Sequence, residues 1–139
     1  MSVFVLEASV TLAVLLEDES SPYADAVVEL LKRDEAVASR VWPLEVANAI
    51  LTAVRRGRIL AADAPLLVGA LNGLRVEVDR ETADAWLALA VVNLGIAYGL
   101  TAYDASYLEL ALRRDPPFAT IDRRLRDAAS AAGILILQP

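Results

Sequence analysis

Four acidic residues occupy positions in this 139-residue sequence from which they could act together on one bound metal ion. They are Glu7, Glu45, Asp104 and Asp122. Glu7 directly follows the apolar segment 2–6 and Asp122 directly follows segment 118–121, whereas the other two fall near the starts of helical segments. Carboxylate oxygens are the ligands that Mg²⁺ prefers, and a bound divalent ion can activate water for attack on phosphorus. Metal-dependent hydrolysis is therefore the chemistry that these residues could support.

The composition narrows the chemistry further. The sequence has no cysteine and no histidine, which excludes disulfides, thiolate and imidazole metal sites, and every Ser-His mechanism. The net charge of -6 gives no overall attraction to nucleic acid, so RNA binding would need a local basic patch or a bound cation. A hydrophobic fraction of 57% predicts that a partner chain covers part of the surface, and we expect an oligomer.

Short apolar segments alternate along the chain with longer segments of helical period. We predict strands at 2–6, 36–39, 75–78, 118–121 and 134–137. We predict helices at 8–16, 22–32, 43–56, 61–72, 81–94, 101–114 and 123–132, the fifth of them closing at Gly95. Strands separated by helices form a parallel sheet covered on both faces, so the sequence predicts one α/β domain over residues 1–139.

A parallel sheet would bring the acids together, because ligands in such folds bind beyond the carboxyl ends of the strands. Three of the acids also have ordinary structural explanations. Thr101 and Asp104 match a capping box, Asp122 can cap a helix, and an acid in a first turn such as Glu45 is favoured by the helix dipole. Glu7 gains less from capping, and burying its carboxylate unpaired would cost several kcal/mol. Of the four acids, Glu7 is therefore the one for which physical reasoning most favours binding to a cation.

Four segments together resemble a known family. They are VFVLEASVTLAVLLEDE, WPLEVANAILTAVRRGRI, GLTAYDASYLELALRR and FATIDRRLRDAASAAGI. In this order they are similar to the motif blocks of PIN-domain proteins, and most of all to the VapC toxins of toxin-antitoxin pairs. The resemblance implies a three-layer α/β/α sandwich with a central parallel sheet, cleavage of RNA with Mg²⁺ or Mn²⁺, a homodimer, and a VapB-like antitoxin that blocks the site.

The resemblance also implies roles for individual residues. Glu45 matches the family acid in the LEVANA block, Asp104 the one in TAYDA, and Asp122 the one in ATIDR. The first acid differs, because the family has VDAS where this chain has LEAS, so that Glu7 replaces an aspartate. Ser9 matches the small hydroxyl residue beside the site, which implies that it contacts the substrate. We expect Glu7 and Asp104 to bind the ion directly, and Glu45 and Asp122 to bind through water or a second ion.

Two arginines could bind the substrate. Arg123 and Arg124 lie at a predicted helix start, where positive charge is unfavourable, and beside Asp122. We expect them to pair either with the acidic site or with a phosphate of the RNA substrate. The tryptophans, Trp42 and Trp86, have apolar neighbours, which favours a place in the core or an interface over base stacking.

Two functions are compatible with these residues. The first is an endoribonuclease toxin, and the second is a catalytically impaired PIN-domain protein that binds antitoxin or RNA without efficient cleavage, because Glu7 replaces the usual aspartate. A receiver domain would need a lysine after a late strand, whereas Lys32 lies in an early helix. The start of the chain lacks the basic region of a signal peptide, and we expect a cytoplasmic protein with no membrane span.

Overall fold

The computed structural model describes residues 2–139 and contains a four-stranded parallel sheet. Its strands are β1 (Val3–Leu6), β2 (Glu35–Ala38), β3 (Val76–Val78) and β4 (Phe118–Ala119). The strand order is β3-β2-β1-β4, and all three pairings are parallel. The predicted parallel α/β fold is therefore confirmed. The order places β1 in the interior of the sheet beside β4, so the residues that follow these two strands are neighbours in space.

Within these residues, seven α-helices surround the sheet. They are α1 (Ala8–Leu15), α2 (Pro22–Leu30), α3 (Trp42–Arg55), α4 (Ala64–Ala70), α5 (Asp84–Tyr98), α6 (Ala102–Arg114) and α7 (Arg123–Ala131). The sequence accounts for several of their starts. Pro22 opens α2 after the capping residue Ser21, and Thr101 caps α6 by accepting a hydrogen bond from the Asp104 amide.

The core has two parts, one on each face of the sheet. Alternating side chains of the central strand point to opposite faces, so Val5 packs with α3, α6 and α7 while Phe4 and Leu6 pack with α1 and α2. All three of these strand side chains are at most 1% exposed. The result is the three-layer arrangement that was predicted. The helices α1, α3, α6 and α7 pack against the sheet in this arrangement, and the four acids lie at the starts of these helices.

Three predicted elements differ from the observed ones by more than two residues at an end. The helix predicted to close at Gly95 continues to Tyr98 and ends where Gly99 adopts a left-handed conformation, with φ 65°. A glycine inside a helix costs only about 1 kcal/mol, whereas the left-handed position suits glycine best, so the second glycine sets the boundary. The helix predicted over 61–72 is α-helical only over Ala64–Ala70, between two 3₁₀ turns.

The last predicted strand, 134–137, is the third difference. It forms only an isolated parallel bridge, in which Ile136 pairs with Phe118. The partner strand β4 is short as well, with two residues where a strand was predicted over 118–121. This edge contact still fixes the segment before Thr120, since the Leu137 amide donates to the Phe118 carbonyl at 2.8 Å.

Helix α5 leaves an apolar face uncovered. Its exposed apolar side chains are Trp86, Leu89, Val92 and Ile96. Among its 15 residues Val91 alone is buried, and no charged residue follows Asp84. Within residues 2–139 no single helix is long and apolar enough to cross a membrane, and only α5 and α6 together, bent by 104°, reach that length and composition.

Candidate active site

The four predicted acids line one cleft of about 670 Å³. Glu7 lies at the end of β1, and Asp122 precedes α7 shortly after β4. Glu45 and Asp104 lie in the first turns of α3 and α6. Four segments that are distant in sequence therefore contribute one carboxylate each. The structure brings together all four acids that the sequence singled out.

Glu7 is the most deeply placed of the four, with 5% of its surface exposed. Its Oε2 atom accepts hydrogen bonds from the Ser9 amide at 3.1 Å, the Ser9 hydroxyl, and the Thr120 hydroxyl at 2.9 Å. The Ser9 amide bond makes Glu7 the N-cap of α1, which was not expected from the sequence. Burial raises the pKa of Glu7 to about 7, helped by the charge of Glu45 and opposed by these hydrogen bonds. A buried carboxylate of this kind gains most from a nearby cation.

Glu45 is held by a buried phenol. The Tyr107 hydroxyl donates to Glu45 Oε1 at 2.7 Å, and the tyrosine side chain is completely buried. Burial raises the pKa of Glu45, the Tyr107 hydrogen bond lowers it, and the charge of Asp104 raises it. The pKa of the Tyr107 phenol is raised by its own burial and by the Glu45 charge, so the phenol stays a hydrogen-bond donor. Glu45 thus has one oxygen held by Tyr107, and its other oxygen accepts no hydrogen bond from residues 2–139.

Asp122 is the N-cap of α7 that the sequence suggested, and Asp104 lies in the first turn of α6 after the N-cap Thr101. Asp122 Oδ1 accepts from the Leu125 amide at 2.9 Å and caps α7. The Asp104 amide donates to the Thr101 hydroxyl at 3.2 Å in the first turn of α6. Burial raises the pKa of Asp104, as does the negative charge of Asp122. The second oxygen of Asp122 accepts no hydrogen bond within residues 2–139.

The donor set suits a hard divalent cation. Charge coupling links Glu7 to Glu45, Glu45 to Asp104, and Asp104 to Asp122, and within residues 2–139 no arginine or lysine lines the cleft. Each carboxylate keeps at least one oxygen without a hydrogen bond from the described residues. In the same part of the chain no three acidic side chains form a ready-made cluster that could hold an ion. Mg²⁺ and Mn²⁺ fit these residues if water supplies part of the coordination, which is usual for Mg²⁺.

The three residues expected to bind substrate are placed differently from one another. Ser9 lines the cleft, but its hydroxyl is engaged with Glu7. Arg123 and Arg124 lie outside the cleft lining, in a neighbouring depression with Tyr98. Neither arginine forms an ion pair with any residue in 2–139, although the charge of Arg124 lowers the pKa of Asp104. The two arginines were expected to pair either with the acidic site or with a phosphate of the substrate. Among the described residues, no ion pair of Arg123 or Arg124 with the acids is seen.

Two residues that hold the acids in place, Thr120 and Tyr107, were not predicted from the sequence. Thr120 stands within the FATIDRR block, two positions before Asp122, and its proximity to the site could have been inferred from the strand end. Tyr107 stands three positions after Asp104, one helical turn further along α6. Its contact with Glu45 had no signal in the sequence.

The two tryptophans differ in burial. Trp42 is buried, and its indole nitrogen donates to the Thr11 hydroxyl at 2.9 Å, which is the core position that its apolar neighbours favoured. Trp86 is half exposed on α5, within the uncovered apolar face. Neither side chain lines the acidic cleft.

Comparisons with known proteins agree with this architecture. A family model described as PIN domain matches residues 4–131. No curated protein matches the sequence. Among solved structures, PAE2754 from Pyrobaculum aerophilum superposes with a TM-score of 0.69 and 22% identity, covering 91% of this chain and 84% of that one. VapBC2 from Rickettsia felis, solved bound to a DNA fragment from its promoter, gives a TM-score of 0.64 and 13% identity, covering 98% and 97%.

Proposed function

The chain belongs to the PIN-domain family, whose members are generally nucleases, and from this premise we propose that it is a divalent-metal-dependent endoribonuclease that acts as the toxin of a toxin-antitoxin pair. One observation above all supports the proposal. Four carboxylates from four chain segments line a single cleft, each with an oxygen that accepts no hydrogen bond from residues 2–139, and no cationic side chain of these residues lines the cleft to neutralise them.

The chemistry follows from what these residues can hold. Bound Mg²⁺ or Mn²⁺ would lower the pKa of a coordinated water and neutralise charge on the scissile phosphate. Glu7 and Asp104 would bind the ion directly, with Glu45 and Asp122 acting through water. Oε2 of Glu45, a carboxylate whose pKa is raised by burial, suits a group that accepts a proton from the attacking water. Hydrolysis then forms one P–O bond to water and breaks one P–O bond to the leaving ribose oxygen, which takes up a proton.

Substrate contacts outside the metal site would come from two arginines. Arg123 and Arg124 lie in the depression beside α7, and Arg124 is near enough to Asp104 to lower its pKa. A phosphate next to the one being cleaved could accept hydrogen bonds from these guanidinium groups. RNA binding by a chain of net charge -6 needs such a local attraction in addition to the cation.

We also propose a homodimer and a cognate VapB-like antitoxin. The uncovered apolar face of α5 supports the first, because Trp86, Leu89 and Ile96 are 51%, 62% and 79% exposed on a helix that has no charged residue after Asp84. The apolar wall of the acidic cleft supports the second. Leu44, 74% exposed at its rim, could receive an apolar side chain of an antitoxin segment that blocks the acids.

The competing function is a catalytically impaired PIN-domain protein that binds antitoxin or RNA. Two observations favour it: the first acid is a glutamate, and the carboxylates of residues 2–139 do not form a ready-made ion cluster. Mg²⁺ tolerates little geometric error, so an added methylene could weaken coordination. The two functions differ in one measurable property, which is RNA cleavage by the isolated protein.

The decisive experiment measures cleavage of a mixed RNA pool by the purified protein, free of antitoxin, with Mg²⁺ and with excess chelator. We expect cleavage that the chelator abolishes. Asp104→Asn should remove it, whereas Asp63→Asn, which removes the same charge from an exposed turn before α4, should leave it unchanged. Cleavage by Asp104→Asn at the parent rate would disprove the metal-site proposal, and an inactive parent that still binds Mn²⁺ would favour the impaired protein.

A further inference from the structure

The two oxygens of the Glu7 carboxylate have very different surroundings. Oε2 accepts all three hydrogen bonds, from the amide and hydroxyl of Ser9 and from the hydroxyl of Thr120. Oε1 accepts none from residues 2–139, although Glu7 lines the acidic cleft. Thr120 is completely buried, so its hydroxyl is shielded from bulk solvent. The carboxylate is therefore anchored through one oxygen, and the other is available to a ligand.

Backbone amides fix the direction in which both hydroxyls donate. The Ile121 amide donates to Ser9 Oγ at 3.0 Å, and the Asp122 amide donates to Thr120 Oγ1, also at 3.0 Å. A hydroxyl has one proton and can accept at its lone pairs. Because each hydroxyl accepts from an amide, its proton is free to point to Glu7. The two hydroxyls thus act as relays between the backbone after β4 and a carboxylate after β1.

We propose that Thr120, assisted by Ser9, is a positioning residue that holds Oε2 of Glu7 so that Oε1 alone is presented to the divalent cation. Thr120 also joins two of the acids, since it donates to the Glu7 side chain and accepts from the Asp122 amide. A change at Thr120 would disturb both. This positioning role rests on the metal-dependent function proposed above.

The anchor explains how the chain can use a glutamate here. A glutamate has one more rotatable bond than an aspartate, so an unanchored side chain would lose more rotamer entropy on binding an ion. Three hydrogen bonds to Oε2 remove that freedom before the ion arrives. Groups that orient ligands in this way are worth about 10-fold to 100-fold in metal affinity in other sites.

The test measures Mn²⁺ affinity by electron paramagnetic resonance titration of the full chain, with no RNA present. Thr120→Val, which keeps the shape and removes the hydroxyl, should weaken Mn²⁺ binding about 10-fold to 100-fold. Thr120→Ser should restore it. The control is Thr11→Val, which removes another buried hydroxyl, one that accepts from Trp42 at 2.9 Å and makes no hydrogen bond to Glu7. Its affinity should equal that of the parent.

A double-mutant cycle separates positioning from general damage to the fold. In a Glu7→Gln background, Thr120→Val should add no further loss of Mn²⁺ affinity, because the residue that it positions no longer carries a charge. The inference would be overturned if the loss of Mn²⁺ affinity in the double variant equalled the sum of the losses in the two single variants. It would also be overturned if Thr120→Val bound Mn²⁺ as tightly as Thr11→Val. If Thr120→Val does not fold, the comparison of Thr120→Ser with Ser9→Ala decides, since only Ser9→Ala should weaken binding.

The outcomes also separate the positioning role from the proposed function. A parent protein that binds Mn²⁺ and cleaves RNA, with Thr120→Val equal to it in affinity, refutes the positioning role and leaves the nuclease intact. A parent that binds no Mn²⁺ at millimolar concentration refutes both.

Discussion

Replacement of Glu7 by glutamine gives a test of the metal site that needs no substrate. Burial raises the pKa of Glu7 from 4.5 to about 7 in the folded protein. Between pH 4.5 and pH 7 the Glu7 carboxyl group is deprotonated in the unfolded chain but still protonated in the folded protein. The unfolded state is therefore increasingly favoured as the pH rises through this range. Stability from this group is complete below pH 4.5 and is lost as the pH rises through 7. The lost amount is about 3 kcal/mol, since one pKa unit corresponds to about 1.4 kcal/mol.

Glutamine has the size of glutamate but no charge, so it removes this dependence. Its amide oxygen can accept the bonds that Ser9 and Thr120 now donate to Oε2. Without metal, we expect Glu7→Gln to be about 3 kcal/mol more stable than the parent at pH 8 and within about 1 kcal/mol of it at pH 5. Glu17→Gln, which removes a charge from an exposed position, should differ little from the parent at either pH.

The assay is urea unfolding followed by circular dichroism at both pH values, with and without Mg²⁺. Saturating Mg²⁺ should stabilise the parent at pH 8, by about 2.7 kcal/mol at 100 times the dissociation constant, and should stabilise Glu7→Gln much less. Loss of the Glu7 charge makes the variant more stable at pH 8, whereas Mg²⁺ binding stabilises mainly the parent. The difference in unfolding free energy between Glu7→Gln and the parent at pH 8 should therefore shrink as Mg²⁺ is added. A stability difference between the two proteins that is the same at pH 5 and pH 8 would refute the reasoning.

Three further predictions address other parts of the site and surface. Tyr107→Phe removes the donor to Glu45, so it should raise the pKa of Glu45, move the pH–rate profile of RNA cleavage to more alkaline pH, and slow cleavage about 10-fold. Ile96→Asp should convert a dimer to a monomer in size-exclusion chromatography with light scattering, whereas the similarly exposed Leu135→Asp should not. Arg124→Ala should raise KM for RNA with little change in kcat, and should reduce the salt slope of binding by about 1. An unchanged pH–rate profile of Tyr107→Phe would contradict the first prediction, and an unchanged mass of Ile96→Asp the second. An unchanged KM of Arg124→Ala would contradict the third.

The candidate site could be located from the sequence because residues that directly follow parallel strands lie together at one edge of the sheet. Glu7 and Asp122 each follow an apolar segment, and parallel pairing of β1 with β4 brings those two ends together. Glu45 and Asp104 were placed near the site by their positions at helix starts, and the family resemblance then favoured a functional role for them over that of ordinary first-turn acids. The structure confirms the parallel fold on which this convergence depends and shows all four side chains on one cleft.

The strand end could have placed Thr120 near the site, but the hydrogen bonds that orient the acids could not be predicted from the sequence. Thr120 lies 113 positions from Glu7 in the sequence, and Tyr107 lies 62 positions from Glu45. Neither spacing follows from a helical or strand period, and both contacts depend on how the layers pack. The end of α5 was misplaced for a related reason: a glycine stands at both 95 and 99, and only the structure shows which one adopts the left-handed conformation.

In the sequence, helix capping and metal binding are alternative explanations of the acidic residues. The structure shows that the two roles are compatible, because a carboxylate has two oxygens and only one of them is needed for the cap. Asp122 caps α7 through Oδ1 and Glu7 caps α1 through Oε2, and in each the second oxygen accepts no hydrogen bond from residues 2–139. A cap also restricts the side chain, so the second oxygen is held near one position before any ion binds. Capping therefore does not count against a metal role at these positions; it supplies part of the order that a metal site requires.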